Sequence, residues 1–174
     1  TTPVKEDVVK EMIPYYTEVS GNPSSLYSVG LEAKQGLELA RERVAKLINA
    51  QPAEIRFTSC GTEADNWVLE GVADALKNKG NHIITSKIEH HAVLHTCEAR
   101  AKEGFEVSYC GVDEYGVVDL DELRSLVTEK TGIVAIMYAN NEIGTIEPIE
   151  EIVEITHAKG ALMFPDAVQA VGNV

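Results

Sequence analysis

The sequence predicts an α/β fold, a mainly parallel, doubly wound sheet with helices on both faces. Three observations predict it. Strand-type and helix-type patterns alternate along the chain, as repeated strand–helix–strand units require. Ile133–Tyr138 is an unbroken apolar run, expected of a central strand buried on both faces. Helix boundaries also carry their own signals, namely Asp119 with Glu122 three residues on, and Pro148 with Gly160 beyond it.

The elements follow in order. Ala33, Leu37, Ala40, Val44, Leu47 and Ile48 repeat at helical spacing, which predicts a helix over Glu32–Asn49. Ile55–Thr58 reads as a short first strand, followed by the small-residue turn Ser59-Cys60-Gly61-Thr62. Ala64, Val68, Val72, Ala75 and Leu76 share a face of a helix from about Glu63 to Lys77. His82–Ser86 is the second strand, about His90 to Glu103 a helix, and Phe105–Tyr109 the third strand. Asp119 then caps a helix over Leu120, Leu123, Leu126 and Val127, with Glu122 as its return partner. Ile133–Tyr138 is the fourth strand, Pro148 opens a helix at its first position, Gly160 closes it, and Ala161–Phe164 is the fifth.

Composition bounds the function. The chain has 174 residues, enough for one α/β domain with a core. A net charge of −13 with no Lys/Arg cluster argues against nucleic-acid binding. No apolar run reaches the ~18 residues that a membrane span needs. The first residues lack the apolar segment of a secretory signal and an initiator Met, so a processed or partial chain is expected. Three irregularly spaced cysteines, Cys60, Cys97 and Cys110, suit a reducing cytoplasm rather than a disulfide framework.

Ligands of open α/β sheets bind beyond the carboxyl ends of the parallel strands. Four such junctions carry polar groups: Thr58–Glu63, Glu89-His90-His91, Asn140-Asn141-Glu142 and Asp166-Ala167-Val168-Gln169. If the strands are parallel, all four share one rim. The first junction suits a phosphate at a helix N-terminus, although Thr62 serves equally as a plain helix cap. His91 and His95 are spaced four apart near Cys97, but no metal-site spacing accompanies them, so no metal is expected. His90 reads either as a bonded structural residue or as a flat ring able to stack on a ligand. Asp166 reads either as a helix cap or as the carboxylate partner of a cationic ring nitrogen. Cys97 and Cys110 look like packing residues, and Cys60 alone has a case for reactivity.

Five segments in this order resemble the cysteine desulfurases of the NifS/IscS type, in the class V aminotransferase-like group. They are Gly21-Asn22-Pro23-Ser24-Ser25, Thr58–Glu63, Glu89–Val93, Ala139–Thr145 and Asp166–Gly172, with Thr1-Thr2-Pro3-Val4 resembling the end of an opening strand segment. The resemblance runs the full length. It implies the large domain of the pyridoxal-phosphate fold type I, with residues 1–174 as its N-terminal portion. The rest of that domain and the small C-terminal domain would lie outside this chain. It further implies pyridoxal 5′-phosphate as cofactor, with Gly61 and Thr62 on its phosphate, His90 stacked on its ring and moving protons, Asp166 on the pyridinium nitrogen and Gln169 on the 3′ oxygen. Asn141 would meet the substrate carboxylate. The implied reaction takes L-cysteine to alanine, leaves sulfur as a persulfide on a protein thiol, and hands it to an iron–sulfur scaffold protein. A cytoplasmic homodimer is implied as well.

There are departures from the family pattern. Phe164 stands two residues before Asp166, where the family commonly has His. The family's cofactor lysine in a Ser-x-His-Lys segment, its nucleophilic cysteine and its carboxylate-binding arginine would follow Val174, so this chain alone is expected to be inactive. Of ten lysines only Lys87 lies near the expected rim, and it matches no functional position. The same expectation leaves Ile133–Met137 incompletely covered. Alternative readings are a related lyase or aminotransferase of the selenocysteine lyase kind, and a non-catalytic scaffold domain of the same fold. A Rossmann or flavodoxin-like binding domain would want a G-x-G-x-x-G turn, and none follows the first strand.

Overall fold

The computed structural model describes residues 3–174, so Thr1 and Thr2 of the opening segment lie outside the described residues, and Pro3 and Val4 are not in a strand. The chain forms two compact units divided after Phe57. In the first, α1 (Glu6–Thr17) and α2 (Ser28–Leu47) precede a single 3-10 turn, Pro52–Glu54. Helix α1 has no counterpart in the sequence reading. It carries Pro14 inside it, buries no residue, and so lacks both a clean start–stop signal and a core-facing stripe. It leans on α2 where Tyr15 covers Gly36, with Arg43–Glu11 bridging alongside at 3.5 Å. The Gly21–Ser25 turn wraps the start of α2. Asn22 Oδ1 accepts from Ser24 N, and a side chain at Gly21 would collide with the Val29 carbonyl oxygen.

Ile55–Thr58 is not a strand. Ile55 is extended, but its carbonyl accepts from Arg41 Nη1 at 2.6 Å and Arg56 Nη1 at 2.9 Å instead of joining a ladder. The sheet therefore has four strands rather than five.

The second unit holds that sheet. Its strands are β1 (His82–Ser86), β2 (Glu106–Cys110), β3 (Thr131–Ala135) and β4 (Leu162–Phe164), in the order β2-β1-β3-β4 and all parallel. Helices cover both faces. Ile83, Ile133 and Ala135 point to one side, against Leu69 and Ala73 of α3 (Gly61–Leu76) and Val93 and Cys97 of α4 (His91–Lys102). Ile84 and Val134 point to the other, against Leu123 of α5 (Leu120–Leu126) and Ile152 of α6 (Ile149–His157). Alternate residues of one strand thus serve opposite cores, which is why the buried strands read as unbroken apolar runs. Each fully buried Leu or Ile contributes about 1.5–3 kcal/mol. Arg100 pins α4 to α3 by an ion pair with Asp74 at 2.8 Å, and its guanidinium lies 5.6 Å from the Phe105 ring centre.

Ile133–Met137 is not left uncovered. It lies mid-sheet and every residue in it is at most 2% exposed. Beyond the last ladder pair the edge still bonds to the β4 side, through Ile136 N to Phe164 O and Tyr138 N to Asp166 O. Two boundary signals act differently from expectation. Asp119 caps α5 through the amides of Asp121 and Glu122, but the Glu122 carboxylate accepts from Gly111 N and makes no return bond to the cap. Pro148 occupies the cap position of α6 instead of its first turn, and Gly160 follows with φ +72°. No helix among the described residues is long and apolar enough to cross a membrane.

Candidate functional site

Because β1, β3 and β4 are parallel neighbours, the segments that follow them emerge on one edge of the sheet. His90 follows β1, Asn141 follows β3, and Asp166 and Gln169 follow β4. The segment Thr58–Glu63 follows no strand, contrary to the sequence reading, yet it reaches the same edge by another route. An ideal Cβ on Gly61 would lie 2.7 Å from Val168 Cγ2, so the first turn of α3 packs directly on the Asp166–Gln169 loop. A side chain at position 61 would displace the exposed Val168 side chain.

The start of α3 is built by its own sequence. Glu63 turns back to accept from both Ser59 N and Ser59 Oγ at 2.6 Å, which holds its carboxyl below the ordinary range. The helix therefore starts at Gly61, two residues before the predicted start. Thr62 lies in the exposed first turn and is not the cap; Cys60 occupies that position without a capping bond from its side chain. The amides of Glu63 and, after the Ser59 hydroxyl, of Thr62 lower the exposed Cys60 thiol. Cys97 and Cys110 are buried, and burial pushes each thiol up to about 12, which makes both inert packing groups.

At the other junctions His90 and Asp166 each make a structural bond and leave a group uncommitted. His90 caps α4, its Nδ1 accepting from Ala92 N at 3.1 Å, so the neutral ring carries its proton on Nε2 while the ring stays exposed. Asp166 caps the turn after it, Oδ1 accepting from Val168 N at 3.0 Å. Among the described residues Oδ2 has no partner. Asn141 is exposed, and Gln169 is half-buried with its backbone carbonyl taken by Asn173 Nδ2 at 3.1 Å. His91 stacks on His95 with ring centres 5.1 Å apart. Lys87 points elsewhere. Its Nζ lies 3.9 Å from where a Cβ on Gly111 would be, on the β2 side of the edge.

Two buried carboxyls stand behind this edge, and the sequence reading gave neither a role. Asp65, one turn beyond Gly61, is 4% exposed, and burial followed by the charge of Asp166 raises it to about 6. Glu89 is 5% exposed and is raised by burial to about 8 although Ser86 and Met137 bond to it. A signal existed for both: an acid at a position where the local pattern is buried.

The sequence profile of the aminotransferase class-V family matches residues 1–174. The chain belongs to that family. It is 55% identical over its whole length to a protein named cysteine desulfurase IscS from Clostridium botulinum (strain Kyoto / Type A2), of which it covers 44%. Among solved structures, a NifS-like protein superposes with a TM-score of 0.94 at 48% identity, over 98% of this chain and 47% of that one. A structure described as SspA in complex with cysteine superposes with a TM-score of 0.92 at 32% identity, over 98% and 49%. This class V chain thus spans less than half the length of the curated relatives it matches. The α/β fold with its parallel sheet is that of these pyridoxal-phosphate fold type I neighbours.

Proposed function

We propose that the protein carrying this chain is a pyridoxal-phosphate-dependent cysteine desulfurase. The observation that carries this reading is the gathering of His90, Asn141, Asp166 and Gln169 beyond three adjacent strand ends, with the first turn of α3 packed against them. Relatives named cysteine desulfurase, and a neighbour described in complex with cysteine, support the substrate.

The residues present fit the cofactor. Gly61 is held at a close approach, the first turn of α3 is exposed and free of charge at Gly61 and Thr62, and Asp166 keeps one carboxylate oxygen free. Amides of Gly61 and Thr62, with the Thr62 hydroxyl, would bind the phosphate at the positive end of the helix dipole. Asp166 Oδ2 would pair with the ring nitrogen and favour its protonated state, and Gln169 would bond the 3′ oxygen. When bound, the cofactor supplies an electron sink for charge developing on the substrate's α-carbon. His90 offers its flat exposed ring to stacking and holds a transferable proton on Nε2, since Ala92 N occupies Nδ1. Asn141 would orient the substrate carboxylate.

Transfer of cysteine sulfur as a persulfide to an iron–sulfur scaffold, cytoplasmic action and assembly as a homodimer complete the proposal. The experiment is to supply the full-length protein with L-cysteine and an excess of a thiol reductant, which releases the persulfide's outer sulfur as sulfide, and to measure alanine and sulfide in parallel. Equimolar products are expected. Preference for selenocysteine would favour the related lyase, and preference for a sulfur-free amino acid would refute the desulfurase reading.

A further inference from the structure

Glu89 is a buried acid for which the proposed chemistry has no use, yet its carboxyl takes three hydrogen bonds at the edge. Strands β1 and β3 pair as far as Thr85 and Ala135, after which β1 turns away. Met137 N is left facing that side without a strand partner. Both Glu89 oxygens accept from it, Oε1 at 3.0 Å and Oε2 at 2.9 Å, while Ser86 Oγ donates to Oε1 at 2.5 Å. Ile88 N donates in turn to Ser86 Oγ at 3.3 Å. Asn140 makes a second clasp across the same gap, donating from Nδ2 to Ile88 O at 3.0 Å and accepting at Oδ1 from Glu142 N and Ile143 N. One residue beyond Met137, Tyr138 N points the other way and donates to Asp166 O at 2.8 Å. Consecutive amides of one stretch therefore hold Glu89 on one flank and Asp166 on the other, and His90 is bonded directly to Glu89.

We propose that Glu89 is a positioning residue: its carboxyl group replaces the missing strand partner at the end of β3 and thereby fixes the separation between His90 and Asp166. These are the two groups assigned to the cofactor ring, so the inference rests on the cofactor reading above. A ring held between a stacking His and a charge-paired Asp needs both at a set distance, and a shift of about 1 Å costs on the order of a hundredfold in such sites. Burial pushes the Glu89 carboxyl up to about 8, so it is mostly neutral at pH 7. Gln is then its close mimic, offering a carbonyl oxygen to Met137 N and an amide N–H to Ser86 Oγ.

The test uses the full-length protein loaded with pyridoxal 5′-phosphate and reads visible circular dichroism per bound cofactor, which reports the fixed orientation of the ring. Glu89→Ala is expected to lower it about threefold or more and to speed cofactor release about tenfold, while Glu89→Gln stays within about twofold of wild type. If Glu89→Ala does not accumulate as folded protein, Glu89→Asp, too short to reach Met137 N, is expected to show the same loss. Wild-type dichroism in a folded Ala or Asp variant would overturn the inference and leave the cofactor reading intact. A wild-type protein that binds no cofactor would overturn both.

Discussion

Glu89 also makes stability depend on pH in a window where few other groups titrate. Burial raises its carboxyl from 4.5 to about 8, and the like charges of Asp166 and Glu147 add to the rise. The native carboxyl thus holds its proton more tightly than the unfolded one. Its contribution to stability is complete below pH 4.5 and is lost as pH rises through 8. At about 1.4 kcal/mol per pH unit, the step from pH 6.5 to 8 removes roughly 2 kcal/mol. Asp65, raised to about 6, has largely titrated by the start of this window and adds little across it. His82, lowered from 6.5 mainly by burial, has the opposite sign, and its change is completed early in the window as the unfolded imidazole loses its proton. Cys97 and Cys110, raised from 9.0 to about 12, act only above it. Glu147, raised by burial, acts with the same sign as Glu89, so the difference between wild type and Glu89→Gln isolates Glu89. The assay is urea unfolding of both proteins at pH 6.5 and pH 8 with the denaturant slope held common. Wild type should lose roughly 2 kcal/mol more than the variant over that step. Parallel losses would refute the assignment of a buried, proton-binding Glu89.

Asp166→Ala in the full-length protein should lower turnover about a hundredfold or more and shift the cofactor's absorption band, because the ring nitrogen loses its charge partner; near-normal turnover would remove the central site assignment. Gly61→Val places branched carbon where Val168 Cγ2 already stands 2.7 Å from an ideal Cβ. Val168 is exposed and can turn, so the thermal midpoint should barely move while cofactor affinity drops about tenfold; unchanged affinity would separate Gly61 from the site. Arg100→Ala removes the ion pairs to Asp74 and Glu103 from a side chain only 11% exposed, and should cost about 1–3 kcal/mol in thermal or urea unfolding; a change below about 0.5 kcal/mol would show that the pin between α3 and α4 is decorative. Lys87→Ala should leave borohydride-trapped cofactor labelling of the full-length protein intact, since Lys87 Nζ points to the β2 side; loss of the label would reassign the cofactor's amine.

What the sequence conveyed follows from how its signals arise. Strands β1 and β3 stand out because burial on both faces demands unbroken apolar runs, and β1 is bounded as predicted, His82–Ser86. Helices α3 and α4 show their stripes because each has one face in a core. Helix α1 buries nothing, so no stripe marks it. Ile55–Thr58 has strand-like residues, but strand formation needs a partner, and two guanidinium groups took the Ile55 carbonyl instead. Three of the four segments of the candidate edge were readable together, because residues after parallel strands share an edge whatever their identity, while Thr58–Glu63 follows no strand. The site's support was not readable. Glu89 and Asn140 stood in named junctions, yet their bonds run to Met137 and Ile88, about fifty residues away in the chain.

The charge pattern at the edge is the remaining puzzle that the geometry resolves. A chain of net charge −13 is a poor host for a phosphate dianion unless the phosphate end of the site is shielded from that charge. On the proposed cofactor reading, the first turn of α3 would provide that shielding locally. Gly61 and Thr62 are uncharged, and Glu63, the one acid of that turn, is bonded back to Ser59 through both the amide and the hydroxyl. The negative charge of the ring end is that of Asp166, which faces the edge, while Asp65 and Glu89 lie buried behind it and are each raised in part by its charge. Such a site matches a ligand that is anionic at one end and cationic at the other, and it discriminates against one that is anionic throughout. Competition should therefore separate the two ends. Pyridoxine 5′-phosphate, with the basic ring nitrogen, should displace the cofactor from the full-length protein far better than an uncharged benzene analogue bearing the same phosphate, by about tenfold or more, the worth of one charge-assisted hydrogen bond. In the Asp166→Asn protein that preference should shrink toward parity. A preference equally strong in wild type and variant would place the ring's cationic partner somewhere other than Asp166.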